Sequence, residues 1–201
     1  TCVDGSTFQM YMANMKSIFM DMIKNTDMVI FNRCKKEDPL PTYRRGIKVA
    51  NQRAEVIFED EEGELGDIFQ DEMPFDMNAP VIEILPEDYG IWFVDAMDHP
   101  ENYEGKTVKF KARVMKPRGM GSKFFVPGRT AMTCCADDTT FLGYVCKSAY
   151  APKLTPGEWV EVTAKVGIEK RNEYQGEEGI VLAAEHVEQC DPLEDEMVYF
   201  N

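Results

Sequence analysis

The apolar residues of this chain change their spacing once, near Gly105, and that change limits what the chain can fold into. Before it, stretches with apolar residues three and four apart alternate with short solid apolar runs. After it, apolar and polar residues alternate one by one. The first pattern is that of helices between covered strands, and the second is that of half-buried strands. In residues 8–23, Phe8, Tyr11, Met12, Met15, Ile18, Phe19, Met22 and Ile23 make one helical stripe, with Ser6 or Thr7 placed to cap its start. Methionines at 10, 12, 15, 20 and 22 read as core filler rather than as a soft-metal site.

"MVIFN", 28–32, is a continuous apolar run of strand length, as in a parallel sheet covered on both faces. "PLPTYRRGIKVANQ", 39–52, reads as a helix entered through prolines, and "AEVIFED", 54–60, as a further strand. Strand, helix, strand, helix, strand is the order of a doubly wound α/β unit. Residues 64–86 are acidic and weakly periodic, and "PEDYGIWFVDAMDHPENY" gives a helix ahead of Pro100. Five strands follow: "TVKFKARVMK", "KFFVPGRTAMTCC", "TFLGYVCKS", "EWVEVTAKVGIE" and "GIVLAAEHVEQ". Short strands set off by Gly and Pro predict a small barrel. The expected fold class is therefore α/β plus all-β: a partial doubly wound α/β segment (1–63), an acidic linker (64–86) and a small five-stranded OB-like β-barrel (87–201).

Charge is unevenly spread. The net charge of −14 opposes non-specific nucleic-acid binding over most of the surface. From Ala54 to Gly105 there are 17 acids and no Lys or Arg, whereas Lys106 to Ala136 holds eight basic residues and no acid. The basic run reads either as the polar face of a strand or as a surface that docks an anion or an acidic partner. No apolar run approaches the ~20 residues of a membrane-spanning helix, so a cytoplasmic protein is expected. The first residue is Thr1, which reads as the start of a fragment.

Six cysteines, at 2, 34, 134, 135, 146 and 190, are too sparse for a disulfide scaffold. The densest chemistry is "TCCADD", 133–138. Cys134 and Cys135 are neighbours on an expected strand, so their side chains leave opposite faces. With a turn at 136–140, Cys146 pairs near Ala131, about 13 Å from Cys135 at ~3.3 Å per residue. Asp137 and Asp138 suit that turn. The segment reads as strand and turn, as a zinc site drawn from Cys134, Cys135, Asp137 and Cys146, or as a redox-active thiol pair. His99 and His186 lack ligand-spaced partners, although His186 lies four residues before Cys190.

"VDGSTF", "MVIFNRC", "YRRGIKVAN" and "QRAEVIFE", in that order, resemble the second half of CobW-type P-loop GTPases. The resemblance implies that Asn32 and Arg33 are the remnant of a guanine-binding N-K-x-D, with Lys35 in place of its Asp and Glu37 or Asp38 near enough to replace it. It also implies GTP and Mg²⁺ as cofactors, but only with an upstream P-loop half, because this chain has no G-x-x-x-x-G-K-[ST]. Residues 80–200, with Arg129, Cys134-Cys135-Ala136-Asp137 and Trp159-Val160, resemble the C-terminal domain of the YcgQ-type family, whose members accompany a permease.

These resemblances lead to the expectation of a non-catalytic binding or regulatory module in metal or solute homeostasis, partnered by a membrane permease or an upstream GTPase domain. The alternatives are a fragment of a GTP-hydrolysing metallochaperone and an OB-type nucleic-acid binder using Lys109, Lys111 and Arg113. An orphan half-sheet exposes an edge, so homo-oligomers or disorder are expected over 1–62.

Overall fold

The computed structural model describes residues 1–66, 73–135 and 138–198, with side chains described throughout except at Cys134 and Cys135. Those residues form two compact units: 1–66 with 131–135 and 138–140, and 73–130 with 141–198.

In the first unit, strand β1 (Cys2–Asp4), helix α1 (Phe8–Ile23), strand β2 (Met28–Asn32), helix α2 (Leu40–Ala50) and strand β3 (Glu55–Phe58) alternate as expected. The sheet is parallel in the order β1-β2-β3, with Val3 opposite Phe31 and Ile30 opposite Ile57. Strands in sequential order with crossovers of one hand place both helices on one face. That face holds the core, where Phe8 meets Phe19, Phe31 and Tyr43 edge-on with ring centroids 4.6–5.2 Å apart. Helix α1 departs from the single stripe read in the sequence. Phe8, Phe19, Met20 and Ile23 are buried, but Met10, Tyr11, Met15, Ile18 and Met22 are between 41% and 61% exposed. Met20 is core filler; Met10, Met15 and Met22 belong to a second apolar face. The helix also breaks its regular geometry at Met15 (φ −137°, ψ 30°), within that second face.

In the second unit, strand β4 (Ile82–Glu83) and helix α3 (Tyr89–Asp98) precede strands β5 (Thr107–Met115), β6 (Phe124–Cys135, of which 124–130 belong to this unit), β7 (Asp138–Gly143, of which 141–143 belong to it), β8 (Val145–Lys147), β9 (Trp159–Lys170), β10 (Glu178–Gln189) and β11 (Met197–Val198). Five of them close a ring in the order β5-β6-β8-β10-β9-β5, in which only β8 and β10 run parallel. This is the five-stranded OB-like barrel, with β4, β7 and β11 added at its margins. The segment 140–148, expected as one strand, is two. Gly143 and Gly128 permit the break: a Cβ on Gly143 would stand 2.6 Å from the Pro127 carbonyl, and one on Gly128 2.3 Å from the Leu142 carbonyl.

Alternation places Val108, Phe110, Ala112 and Val114 of β5 inside, facing Val160, Val162 and Ala164 of β9. Helix α3 buries Trp92 against Phe110 and Tyr144, at 4.8 and 5.7 Å between ring centroids. Buried phenols find acceptors, Tyr89 on the Leu142 carbonyl and Tyr144 on that of Phe93. Arg129 of β6, 2% exposed, donates to the carbonyls of Pro86, Asp195 and Met197. It thereby ties the lead-in to α3 and the segment around β11 to the barrel wall.

Candidate functional site

Ligand crevices of open parallel sheets form beyond the carboxyl ends of the strands. Here β1 and β2 end in Asp4 and Asn32. The Asp4 carboxylate accepts from the Ser6 N–H (3.1 Å) and hydroxyl (2.6 Å) and from the Arg33 guanidinium (2.9 Å). The Ser6 hydrogen bonds, with smaller help from Arg33, hold its pKa below the usual carboxylate value. Arg33 takes a left-handed backbone (φ 54°), which turns the chain immediately after the strand. Gly5 makes room for this turn: a Cβ there would stand 2.8 Å from Cys34 Sγ and 3.0 Å from the Asn32 carbonyl.

Of the guanine-motif candidates, Asn32 and Arg33 stand together at this rim. Asp38 is turned back into its own loop, its Oδ2 accepting from the Lys35 N–H at 2.8 Å. Asn32 Oδ1 is shut from water, and no donor among the described residues reaches it. A buried acceptor without a donor is uncommon enough to mark a place for one. Cys34 is packed beneath the rim, and burial pushes its thiol up to about 11.

Beside the rim, α1 and the outer edge of β1 enclose a groove of about 590 Å³. Its floor is Cys2 and Val3, and its wall is the second apolar face of α1, Met10, Tyr11, Met15, Ile18 and Met22. Among the described residues β1 pairs only with β2, so its other edge is open. A stripe already assigned to the core gave no sign of this face; two stripes on one helix differ from one wide stripe only once the buried set is known.

The metal candidates fall differently. Asp137 and the side chains of Cys134 and Cys135 lie outside the described residues. Cys146 stands opposite Phe125, nine positions before Cys134, rather than near Ala131, because β8 and not β7 carries it. Burial pushes its thiol up to about 12, and metal ligation requires the thiolate. Among the described residues no three His, Cys, Asp or Glu side chains gather as a metal site. Thr133 Oγ1 donates to the Asp138 carbonyl at 2.7 Å, and the Asp138 carboxylate meets Lys24 at 3.0 Å. His186 faces Glu188 at 3.2 Å.

The basic strand face is compensated: Lys109 is 3.1 Å from Glu161 and 3.6 Å from Glu83, and Arg113 donates to the Gly157 carbonyl. At one end of the barrel, the β5–β6 and β9–β10 loops enclose a cleft of about 610 Å³ lined by Arg118, Met120, Lys170, Arg171 and Glu173. Among the described residues no helix is long and apolar enough to cross a membrane.

Residues 64–200 match the family described as the DUF1980 C-terminal domain, a span that contains residues 80–200, read as resembling the YcgQ-type domain. No curated protein matches the chain. Among solved structures, the S. cerevisiae mitochondrial single-stranded DNA binding protein Rim1 is 10% identical, with 44% of this chain and 97% of that one covered and a TM-score of 0.26. The aspartyl tRNA synthetase of Entamoeba histolytica is 15% identical, with 59% and 27% covered and a TM-score of 0.30. Likenesses this slight do not bear on what the chain binds.

Proposed function

The chain belongs to the family of DUF1980 C-terminal domains, and from that premise we propose that it is a non-catalytic binding and regulatory module in metal or solute homeostasis. Its partners in this reading are a nucleotide-binding half of CobW type, docked on the first unit, and a permease associated with the family domain. The observation that carries the reading is the open edge of β1 beside the second apolar face of α1. Parallel sheets are ordinarily covered on both faces and extended at their edges. A strand laid along β1 would find unpaired backbone groups on one side and methionine side chains above it, the geometry of strand addition. Asn32 Oδ1 and the Asp4–Arg33 pair would then border the crevice between the two halves, which is where such sheets hold their ligands. The second reading, that the complete polypeptide hydrolyses GTP, rests on the same Asn32 acceptor and needs the same partner half.

The test supplies a CobW-type P-loop half in trans and measures its association with this chain and with an Ile18→Lys/Met22→Lys variant. Both positions are solvent-facing, so the variant keeps its fold, and binding falls at least a hundredfold. No association of the unaltered chain, or equal association of the variant, would refute the docking reading. Metal handling is tested separately by metal content after zinc titration under reducing conditions. Stoichiometric zinc lost in Cys134→Ser or Cys135→Ser supports cargo handling, and no zinc in the unaltered chain removes it.

A further inference from the structure

We propose that the cleft between the β5–β6 and β9–β10 loops of the barrel binds a small phosphorylated molecule through Arg118, Lys170 and Arg171. The cleft's volume, about 610 Å³, is within the range of small-molecule sites, roughly 300–1,000 Å³. On a chain of net charge −14, its lining holds three cations and one acid.

Arg171 is fixed before any ligand arrives. Its side chain is 16% exposed, and its guanidinium lies 4.4 Å over the Phe124 ring. Glu169 stands 3.7 Å from Nη1, while Glu173 takes Nε and Nη2 in a two-pronged contact at 3.2 and 3.0 Å. That fork is the one by which arginine holds a phosphate. Glu173 therefore occupies the place of an oxyanion, and a dianion bridging to Arg118 and Lys170 would displace it. Arg118 has no acid within ion-pair distance among the described residues. Lys170 meets Glu178 only at 3.9 Å, with both side chains at least 65% exposed, so water screens that contact.

The same geometry disfavours single-stranded nucleic acid. Such sites offer aromatic faces for bases to stack on, and the Phe124 face is covered by Arg171. The assignment concerns the barrel alone and stands whether or not the first unit docks a partner.

Phosphorus NMR titration of the full chain with inorganic pyrophosphate at low salt tests it. Saturable binding is expected, weakened at least tenfold in Arg118→Ala and in Lys170→Ala and strengthened in Glu173→Gln, where the fork is released. Tryptophan fluorescence of each variant verifies that the barrel is intact. No saturable binding, or binding indifferent to Arg118 and Lys170, overturns the proposal. So does tighter binding of a single-stranded oligonucleotide than of pyrophosphate. Sedimentation with phosphatidic acid vesicles in the absence of pyrophosphate binding assigns the cleft to a membrane surface and overturns it equally.

Discussion

Replacing Arg129 by Met removes a side chain that joins β6 to the α3 lead-in and the segment around β11. Methionine keeps much of the volume and spares the barrel the desolvation of a charge, so packing and Born terms partly cancel. The Pro86, Asp195 and Met197 carbonyls remain, each without its donor. An unsatisfied buried carbonyl costs about 1–3 kcal/mol; Pro86 and Asp195 are exposed enough to regain some water, so the low end applies and the sum is at most about 3 kcal/mol. Against the ~5–15 kcal/mol of an ordinary domain this is a large fraction, equal to a fall in Tm of roughly 10–15 °C. The protein carries its own reporter, because its two tryptophans, Trp92 and Trp159, are both buried in the barrel. Urea unfolding followed by tryptophan fluorescence should give a lower midpoint with an unchanged slope. Arg129→Lys, whose ammonium lacks the planar fork, should lose about half as much. A loss under about 1 kcal/mol in the Met variant would mean that the three carbonyls are served by water, and that Arg129 is no clasp.

Gly5→Ala should destabilise the first unit by about 1–3 kcal/mol, because its Cβ meets the Asn32 backbone as well as Cys34 Sγ; faster amide exchange in β1 and β2, with unchanged tryptophan fluorescence, would show it. Cys34 and Cys146 are buried, with thiols pushed up to about 11 and about 12, so at pH 8 a thiol reagent should label exposed Cys2 rapidly and these two only on unfolding. The same shifts make alkali destabilising. Below pH 9 both states are protonated, whereas between pH 9 and the folded values the unfolded chain alone gives up these protons, so stability falls as pH rises. Unfolding free energies that decline less steeply from pH 9 to pH 11 in the Cys34→Ala/Cys146→Ala variant than in the unaltered chain would identify the thiols' share, the remaining decline coming from Tyr89, Tyr103 and Tyr144, whose hydroxyls burial also pushes up.

Helices α1 and α2 and the long strands β5, β6, β9 and β10 were legible because each extends over enough residues for its period to show. The division of 140–148 was not. "TFLGYVCKS" is apolar nearly throughout, and only the crossing of β7 over β6 at Gly143 and Gly128 separates its halves. Strands β4 and β11, of two residues each, have no period to read. Arg129 stood out only through the YcgQ-type resemblance; its clasping role was hidden, since its carbonyl partners come from 43 to 68 residues away. The barrel-end cleft was hidden for the same reason. "PRGMGS" and "RNEYQG" each read as an ordinary turn, and only ring closure sets Arg118 beside Arg171.

The open edge of β1 is only three residues long, and this determines how the first unit can hold a partner. In its parallel pairing with β2, alternate residues direct their backbone groups outward, so the edge offers an added strand few hydrogen bonds. At about 0.5–1.5 kcal/mol each these cannot sustain a stable complex. The apolar face of α1 can. Burying a side chain of the size of Ile18 or Met22 contributes about 1.5–3 kcal/mol, and methionine adapts its shape to what it meets. The edge therefore sets the direction of an added strand, and the helix supplies the affinity. Cys2→Pro, which removes one outward N–H, should weaken association with the partner half about tenfold or less. Ile18→Lys/Met22→Lys should weaken it at least a hundredfold. The reverse order, measured by titrating each variant with the same partner half, would place the affinity in the backbone ladder and leave the methionine face without a role.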